Sequence, residues 1–346
     1  MILSSGRALR RCAILGLACA AVAALLAGPG IRDACAEATE LRITRQPGLL
    51  YIPMLIAEQR QLIEKAAAER GLGDIKVNWV TLSSGGAAND ALLSGNIDVV
   101  TSGVSNMLLV NDRTRGDIKG IVGLGGMPML LLTRNPAVKT LADFSAADRI
   151  AVPTVKISSQ AIVLQIALEK QFGKGQAGKL DAITIQLGHP EAMAGLTSTS
   201  NEVNSHFSLL PFQQRALKNP NVHAVMNSFE MLGEPFCNGI LYGRTAFHDA
   251  NPKLIDSIRA GLDKADEIIK TEPQAAAADY LAATKDKSLT ADEIVGMLGE
   301  PGVFFSTAPC STMLVANHLF GQGVIKKQPK DWKDYFFASA HGLNGN

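Results

Sequence analysis

Three turns rich in serine and glycine are the segments of this sequence best suited to holding a ligand. They are Ser83–Gly86, Ser102–Ser105 and Thr154–Gln160, and each one follows a predicted strand and opens a predicted helix. Free N–H groups at a helix start, together with hydroxyl groups, suit an anionic or polar ligand. The alternative is that these serines only cap their helices, which is the commonest use of serine there. Three such turns on converging loops favour a ligand cleft.

Signatures of catalysis and of metal binding are weak or missing. Gly103 and Ser105 resemble the start of a nucleophile elbow, but position 107 is Met where that motif needs Gly. Gly123 and Gly125 are not followed by the third glycine of a dinucleotide-binding fingerprint. The six histidines are at least 17 residues apart, so no pair has the spacing of a helical metal site. We therefore predict no catalytic residue, no metal and no cofactor.

The elements that must position these turns alternate between strand and helix. The first part of the chain predicts a parallel sheet covered by helices, with strands at 41–44, 75–82, 97–100 and 118–124. Pro53 suits the first turn of a helix that runs, with or without a break, to Gly71. The pattern then repeats, with strands at 129–133, 149–152, 182–187, 203–207, 222–227 and 238–242. From Pro252 onward the apolar spacing predicts helices only, at 254–269, 275–283, 291–298 and 312–320.

Composition excludes two classes of protein. Hydrophobic residues make up 47% of the 346 residues and charged residues 19%, a balance that is too apolar for a disordered chain. The formal net charge is +1, so no positive excess exists to neutralise phosphates, and we expect no nucleic-acid partner. The length suggests two domains of ordinary size, or one large domain.

The first 36 residues have the pattern of a secretory signal peptide. Three arginines precede an apolar run over 12–27, and the Ala-Cys-Ala at 34–36 has small residues where a cleavage site needs them. The apolar run is shorter than the roughly 20 residues of a spanning helix, although an uncleaved anchor or a lipoprotein is the alternative. We predict export to the periplasm and a mature chain that begins at Glu37.

Two cysteines remain after the predicted cleavage. Cys237 and Cys310 lie 73 residues apart in the sequence. The periplasm permits disulfides, but spacing alone leaves open whether these two residues pair.

Several segments of the mature chain resemble one family of transport receptors. The most specific is GGAANDALLSGNIDVV at 85–100, which joins a Gly-rich loop, a helix and the next strand in the order found in that family. The other matching segments are LLYIPMLIAEQRQLIEK, MLLLTRNPAVKTLADF, IAVPTVKISSQ and GVIKKQPKDWKDYFF. Over almost its whole mature length, the chain resembles the periplasmic solute-binding proteins of ABC importers in the nitrate/sulfonate/taurine group.

The resemblance implies an α/β protein with the type II periplasmic-binding-protein fold, in which two α/β lobes are joined by two crossing hinge strands. Lobe I would comprise 37–130 and 243–346, and lobe II would comprise 131–242. The crossing strands would be 129–133 and 238–242. The ligand would lie between the lobes, which would close on it by a hinge motion.

The resemblance also implies which residues line the ligand cleft. Nine come from lobe I and six from lobe II: Gln46, Leu50, Tyr51, Ser84, Gly85, Gly86, Gly103, Val104, Ser105, Thr154, Ser158, Ser159, Gln160, His206 and Phe207. His206 would donate a hydrogen bond to a carboxylate or sulfonate, or else be a structural histidine. Phe207 would form an apolar wall, and Tyr51 would either line the cleft or pack against a helix.

The predicted cleft has no unmistakable basic residue of the kind that a small strong anion is expected to need. Only Arg45 and Lys156 lie close to it in the sequence, and either can point to solvent. Apolar residues near the predicted hinge, Met127 to Met129, indicate a ligand with a hydrophobic part. We therefore predict a small organic acid or sulfonate rather than bare nitrate.

The predicted function is to capture that solute in the periplasm and deliver it to an ABC permease in the inner membrane. We expect a monomer that has no enzymatic activity. One alternative is a solute sensor that signals to a membrane kinase without transport. The other is an enzyme similar to a pyrimidine-synthesising relative of this fold, but the chain lacks that relative's cysteine-rich motif.

Overall fold

Ten strands form two sheets in the computed structural model, which describes residues 36–198 and 202–346. The predicted signal peptide lies outside the described residues, apart from Ala36. The strands are β1 Glu40–Arg45, β2 Lys76–Thr81, β3 Val99–Ser102, β4 Ile118–Gly125, β5 Leu130–Thr133, β6 Ile150–Val152, β7 Thr184–Gln186, β8 Ser205–Ser208, β9 His223–Asn227 and β10 Gly239–Arg244. All ten correspond to strands predicted from the apolar pattern.

Each sheet has five strands and mixed directions. The first sheet has the order β2-β1-β3-β10-β4, and the second has the order β7-β6-β8-β5-β9. β1 pairs in parallel with β2 and β3, but β10 lies antiparallel between β3 and β4. In the second sheet β5 is likewise antiparallel to β8 and β9. The four strands predicted to be parallel, β1 to β4, do run in one direction, but β10 enters their sheet antiparallel.

The reversed strands follow from the length of the connections. A parallel neighbour needs a crossover of a dozen or more residues to return the chain to the starting edge. Only four residues, 126–129, separate β4 from β5. The chain therefore continues directly from one sheet into the other, and β5 enters the second sheet from the end at which its parallel strands finish.

Helices cover both sheets. They are α1 Ile52–Gln59, α2 Leu62–Glu69, α3 Gly85–Leu93, α4 Val104–Arg113, α5 Ser159–Phe172, α6 His189–Thr197, α7 Phe212–Leu217, α8 Ser228–Leu232, α9 Thr245–Ala250, α10 Pro252–Thr271, α11 Pro273–Thr284, α12 Ala291–Leu298 and α13 Thr312–Gly321. The predicted helix after Pro53 is confirmed with its break, because Gln61 adopts a left-handed conformation with φ 51° between α1 and α2. The sequence analysis missed α8 and α9.

The helices near the end of the chain bury one apolar face, as their spacing predicted. Leu254, Ile258, Leu262 and Ala265 of α10 recur at helical intervals and are all buried. This face packs against α1 and α2 on the first sheet. The helices predicted at 254–269, 275–283, 291–298 and 312–320 are thus confirmed to within three residues at each end.

The chain passes between the sheets twice, at 126–129 and at 233–238. The strands predicted to cross, 129–133 and 238–242, instead lie almost entirely in one sheet each, and the crossing immediately precedes each strand. A disulfide joins Cys237 in the second crossing to Cys310, with Cα atoms 5.5 Å apart. Gly126 in the first crossing forms a bridge with Phe304. One segment of the C-terminal region, 304–310, is therefore attached to both crossings.

The predicted lobe boundaries stay a prediction. The sheets correspond to the two proposed lobes, but the boundary at 242 falls inside β10, which belongs wholly to the first sheet. Among the described helices, none is long and apolar enough to cross a membrane.

Candidate ligand-binding site

A small cavity lies between the two sheets, at the edge where the parallel strands of both sheets end. Its volume is about 30 Å³, room for roughly one water molecule. The first wall, carried by elements of the first sheet, consists of Gln46, Leu50, Tyr51, Gly85, Ser102, Gly103, Asn106 and Asn238. The second wall consists of Pro153, Ser158, Ser159, Gln160, His189 and Leu209. Ligands of open α/β sheets bind at this edge.

Besides α6, which opens with His189, three helices begin at the cavity with a glycine or serine. Gly85 opens α3, Gly103 is the N-cap of α4, and Ser158 is the N-cap of α5. The first N–H groups of an α-helix have no partner within the helix. Ser84 Oγ and Ser158 Oγ each accept a hydrogen bond from the third residue of their helix, which leaves the first two N–H groups of each helix to other acceptors. The serines therefore cap the helices at the cavity, and their contact with a ligand stays a prediction.

The cavity has positive potential without a positive side chain. Each helix N-terminus acts as roughly half an elementary positive charge. No Arg or Lys is among the residues of either wall. Of the two cations close in sequence, Arg45 pairs with Glu58, and Lys156 Nζ lies 3.4 Å from Asp181 Oδ2. Both cations are thus turned toward acids outside the cavity.

The polar side chains of the first wall hydrogen-bond to one another. Gln46 Nε2 donates to Thr101 O and to Ser102 Oγ, both at 3.2 Å. Asn106 Nδ2 donates to the same Ser102 Oγ at 3.2 Å. A Cβ on Gly85 would overlap Ser102 Oγ and the Asn106 amide, which explains why glycine opens α3. The first wall is therefore preorganised by its own contacts.

Asn238 leaves one donor unused at the cavity. Its Oδ1 accepts a 2.6 Å hydrogen bond from Met127 N, which ties the two crossings together. The side chain is 4% exposed, and its Nδ2 is buried with no partner in the described part of the chain. Because an unsatisfied buried donor is costly, this amide is suited to meet an acceptor supplied by a ligand.

Two buried tyrosines stay neutral on the first-sheet side. Burial raises the pKa of Tyr51, which lines the cavity, and that of Tyr242 behind it. The Tyr242 hydroxyl donates to Asn89 Oδ1 at 2.6 Å, and Asn89 Nδ2 donates to the Asn106 carbonyl. These contacts hold the backbone of Asn106 in place.

A buried histidine pair supports the second wall. His189 lines the cavity, and its Nε2 lies 3.1 Å from Gln160 Nε2. His189 Nδ1 lies 2.9 Å from His206 Nε2. Burial lowers the pKa of His189 to about 3 and places that of His206 well below its ordinary 6.5, so both imidazoles are neutral at pH 7.

Eight of the fifteen predicted cleft residues line the cavity: Gln46, Leu50, Tyr51, Gly85, Gly103, Ser158, Ser159 and Gln160. Others lie directly behind it. Ser84 caps α3, Ser105 Oγ donates to the Ile157 carbonyl, and Gly86 approaches Thr154. Val104 and Phe207 are fully buried, and His206 contacts the cavity only through His189. The set as a whole stays a prediction of ligand contacts.

Six lining residues were not predicted: Ser102, Asn106, Pro153, His189, Leu209 and Asn238. Ser102 and Pro153 lie within or beside turns that the sequence analysis had singled out. His189 opens α6 at the end of β7, and the same strand-end rule would have found it. Asn238 carried no signal, because it comes from a crossing that is placed at the cavity only by the tertiary fold.

Other cavities of the protein are larger but lie elsewhere. A groove of about 1,090 Å³ runs along the far end of α4 and is lined by Arg113, Lys119 and Lys326 among others. It meets one loop of the second sheet at Ile157 and lies away from the strand ends. Across the described ranges, no group of three or more histidine, cysteine or acidic residues is arranged to hold a metal.

The protein resembles known proteins in structure rather than in sequence. No protein-family model matches the sequence, and no curated protein matches it either. Among solved structures, the alkanesulfonate-binding protein SsuA from Xanthomonas axonopodis pv. citri, bound to MOPS, is similar with a TM-score of 0.68 and 19% identity over 85% of this chain and 96% of that chain.

Two further structures extend the comparison. The periplasmic aliphatic sulphonate binding protein SsuA from Escherichia coli is similar with a TM-score of 0.64 and 20% identity, over 87% of this chain and 98% of that chain. The periplasmic nitrate-binding protein NrtA from Synechocystis PCC 6803 is similar with a TM-score of 0.63 and 13% identity, over 84% of this chain and 83% of that one. The chain therefore has the predicted periplasmic-binding-protein fold of two α/β lobes.

Proposed function

We propose that this protein binds a small organic acid or sulfonate between its two lobes and delivers it to an ABC permease in the inner membrane. The observation that carries the proposal is the convergence of three helix N-termini, from both sheets, on one buried cavity without a basic side chain. Such a site favours negative charge through backbone N–H groups.

The composition of the two walls favours an organic ligand over a bare oxyanion. Free N–H groups and the Asn238 amide can meet the oxygens of a carboxylate or sulfonate. Leu50, Pro153 and Leu209 supply apolar surface for the rest of the molecule. Ligand sites of this kind combine an apolar lining with a few placed polar groups.

Binding requires the cavity to change size. A cavity of about 30 Å³ is far smaller than the roughly 300–1,000 Å³ of typical ligand pockets. Lobe I, 37–130 with 243–346, and lobe II, 131–242, would separate to admit the ligand and close around it. The ligand favours the closed form because only that form offers both walls, and the permease would recognise that form.

Contacts between the lobes can hold the closed form on two sides. On one side His318 Nε2 lies 3.0 Å from Gln165 Oε1, and Gln322 Nε2 donates to Glu169 Oε1 at 3.1 Å. On the other side Lys218 Nζ lies 2.6 Å from Glu293 Oε1. These pairs are partly exposed, so each contributes little by itself. Ligand contacts would therefore dominate the balance between open and closed forms.

The role of periplasmic receptor also rests on the predicted export signal and on the fold. The solved relatives named above are binding proteins, two for sulfonates and one for nitrate, and none is described as an enzyme. This supports a binding protein that works with a permease rather than transforming its ligand, and we propose that it acts as a monomer.

The test is a thermal-shift and calorimetric screen of the exported, processed protein. The panel holds sulfonates, aliphatic and aromatic carboxylates, nitrate, bicarbonate, pyrimidines and amino acids. A ligand at 100 times its dissociation constant should stabilise the protein by about 2.7 kcal/mol. Binding of a sulfonate or carboxylate is the expected result. Binding of inorganic oxyanions alone would overturn the preference for an organic ligand, and a pyrimidine consumed during the assay would overturn the non-enzymatic function.

A further inference from the structure

We propose that His206 and His189 form a buried relay that fixes the side-chain amide of Gln160 as a hydrogen-bond donor to the ligand. The relay runs from the interior of the second sheet to the cavity through the contacts His206 to His189 and His189 to Gln160. His206 is a positioning residue that acts through the other two. The ligand part of this inference rests on the proposed function, whereas the direction of the relay does not.

The relay is enclosed, so its hydrogen bonds cannot be replaced by water. His206 is fully buried in β8, where it pairs with Leu132 and Ala151. The His189 ring stacks on Phe212 at 5.7 Å between ring centroids. Gln160 is 4% exposed, and its side chain makes no other hydrogen bond within the described part of the chain. Each member is therefore oriented by its neighbours in the relay.

A neutral imidazole has one donor and one acceptor, so the relay can point in only two directions. Both rings are neutral because they are buried, and His189 also opens α6, where the helix dipole disfavours a cation. In one direction, protons lie on the Nδ1 atoms and Gln160 donates to His189. In the other direction, protons lie on the Nε2 atoms and His189 donates to Gln160 Oε1. The nitrogen and oxygen of an amide exchange places by rotating its terminal bond, so the histidine tautomers decide which atom faces His189.

The far end of the relay favours the second direction. His206 Nδ1 is buried and has no hydrogen-bond partner in the described part of the chain. If the protons lay on the Nδ1 atoms, this nitrogen would carry a buried N–H with no acceptor, which is a rare and costly arrangement. With protons on the Nε2 atoms, it carries only an unused lone pair.

With an anion bound, as in the proposed function, the cavity end of the relay favours the same direction. When His189 donates to Gln160 Oε1, the amide NH2 group of Gln160 is left to face the cavity. The helix N-termini of α3, α4 and α5 make this cavity suitable for an anion, and an amide oxygen there would repel one. The relay therefore gives an uncharged site one more donor, and it should favour ligands that only accept hydrogen bonds.

The direction of the relay can be measured without any ligand. Long-range 1H–15N spectra of the 15N-labelled exported protein report which ring nitrogen of each histidine is protonated. The signals are assigned with His206→Phe, which removes one ring and leaves the other. We expect the Nε2–H tautomer for both His189 and His206 at pH 7. An Nδ1–H tautomer at either residue would overturn the proposal.

The effect on ligand choice is measured with ethanesulfonate and its neutral analogue ethanesulfonamide as probes. In His206→Phe, His189 loses the neighbour that determines which of its ring nitrogens is protonated. We expect the affinity for ethanesulfonate to fall about fivefold to tenfold, the effect of one hydrogen bond. Affinity for the sulfonamide should change less. The matched control is His223→Phe, because His223 lies in the same sheet and, among the described residues, its ring bonds only to the Val138 carbonyl. It should bind both probes like the wild type.

The outcomes separate this inference from the proposed function. If His206→Phe keeps wild-type affinity for ethanesulfonate within twofold, the positioning role is wrong even if the tautomers are as expected. If the wild type binds neither probe nor any anion of the wider panel, the proposed function fails, and the tautomers alone decide the direction of the relay.

Discussion

The two walls of the cavity differ in how their polar atoms are satisfied. In the first wall, Gln46 and Asn106 both donate to Ser102 Oγ, so these side chains hold one another. In the second wall, Gln160 depends on a buried histidine pair whose last nitrogen has no partner among the described residues. Asn238 is the exception in the first wall. Its Oδ1 accepts a hydrogen bond, but its Nδ2 has no partner in the described part of the chain. The first wall is thus fixed locally, and the second is fixed from the interior of its sheet.

The walls also differ in how they respond to pH. On the first side the titratable groups are phenols whose pKa is raised by burial, so they stay neutral through the ordinary range. On the second side they are histidines whose pKa is lowered by burial. Both sets are neutral at pH 7, so the proposed anionic ligand would be attracted through helix dipoles alone. Lowering the pH should therefore protonate groups of the second wall and leave those of the first wall unchanged.

The largest expected effect is the loss of stability when the disulfide at the second crossing, beside the first wall, is removed. Replacing Cys237 and Cys310 by serine opens a loop that spans 73 residues, and we expect the free energy of unfolding to fall by about 4 kcal/mol. Urea unfolding measures it, with reduced wild-type protein as the control. A loss below about 1 kcal/mol would show that the crossing is held by its other contacts.

The next effect tests whether the first wall tolerates any change in its packing. Gly85→Ala places a Cβ against Ser102 Oγ and the Asn106 amide, and we expect a loss of about 1–3 kcal/mol in stability together with weaker ligand binding. Gly86→Ala is the matched control, since its Cβ would lie 3.6 Å from Thr154, an ordinary contact. Denaturant melts and calorimetry compare the two. Equal behaviour of both variants would contradict a preorganised first wall.

The pH comparison predicts an effect of intermediate size. The pKa of His189 is about 3 in the folded protein and 6.5 in the unfolded chain, so the unfolded chain binds more protons between these values. Stability should therefore be full above pH 6.5 and fall as the pH drops toward 3, by about 2 kcal/mol at pH 5 from His189, with a further loss in the same direction from His206. Urea melts at pH 7 and pH 5 measure this.

The control for the pH effect is His189→Gln, which keeps hydrogen-bonding capacity without titrating in this range. Its loss of stability between pH 7 and pH 5 should be smaller than that of the wild type. An identical loss in both proteins would place the acid sensitivity outside the second wall.

The smallest expected effect separates capping from ligand binding within the second wall. Ser158 Oγ caps α5, so Ser158→Ala should cost about 1 kcal/mol of stability. Within the described part of the chain, Ser159 Oγ makes only a long hydrogen bond of 3.4 Å to the Asn238 carbonyl. Ser159→Ala should therefore leave stability unchanged and weaken binding of ethanesulfonate. Thermal melts and calorimetry measure both. If Ser159→Ala binds the probe as tightly as the wild type, this hydroxyl does not contact the ligand.

Much of the candidate site could be predicted because it follows strand ends. Gln46, Gly103 and Ser158 each lie at or just after a buried strand, and parallel strands bring such turns to one edge of a sheet. The same reasoning does not predict where the His206 side chain lies. This residue lies within a strand rather than after one, and its side chain points toward His189 instead of the cavity. The direction of a side chain within a sheet depends on register, which the sequence pattern did not fix.

The sequence by itself determined the elements and their order, because apolar spacing and turn residues act locally. The ten strands and the four terminal helices of the chain all follow from such local signals. Only the tertiary structure decided the reversed directions of β5 and β10, the pairing of Cys237 with Cys310 and the place of Asn238 in the first wall. These features depend on where distant parts of the chain meet. Their energies arise from contacts between residues far apart in the sequence, which no local pattern records.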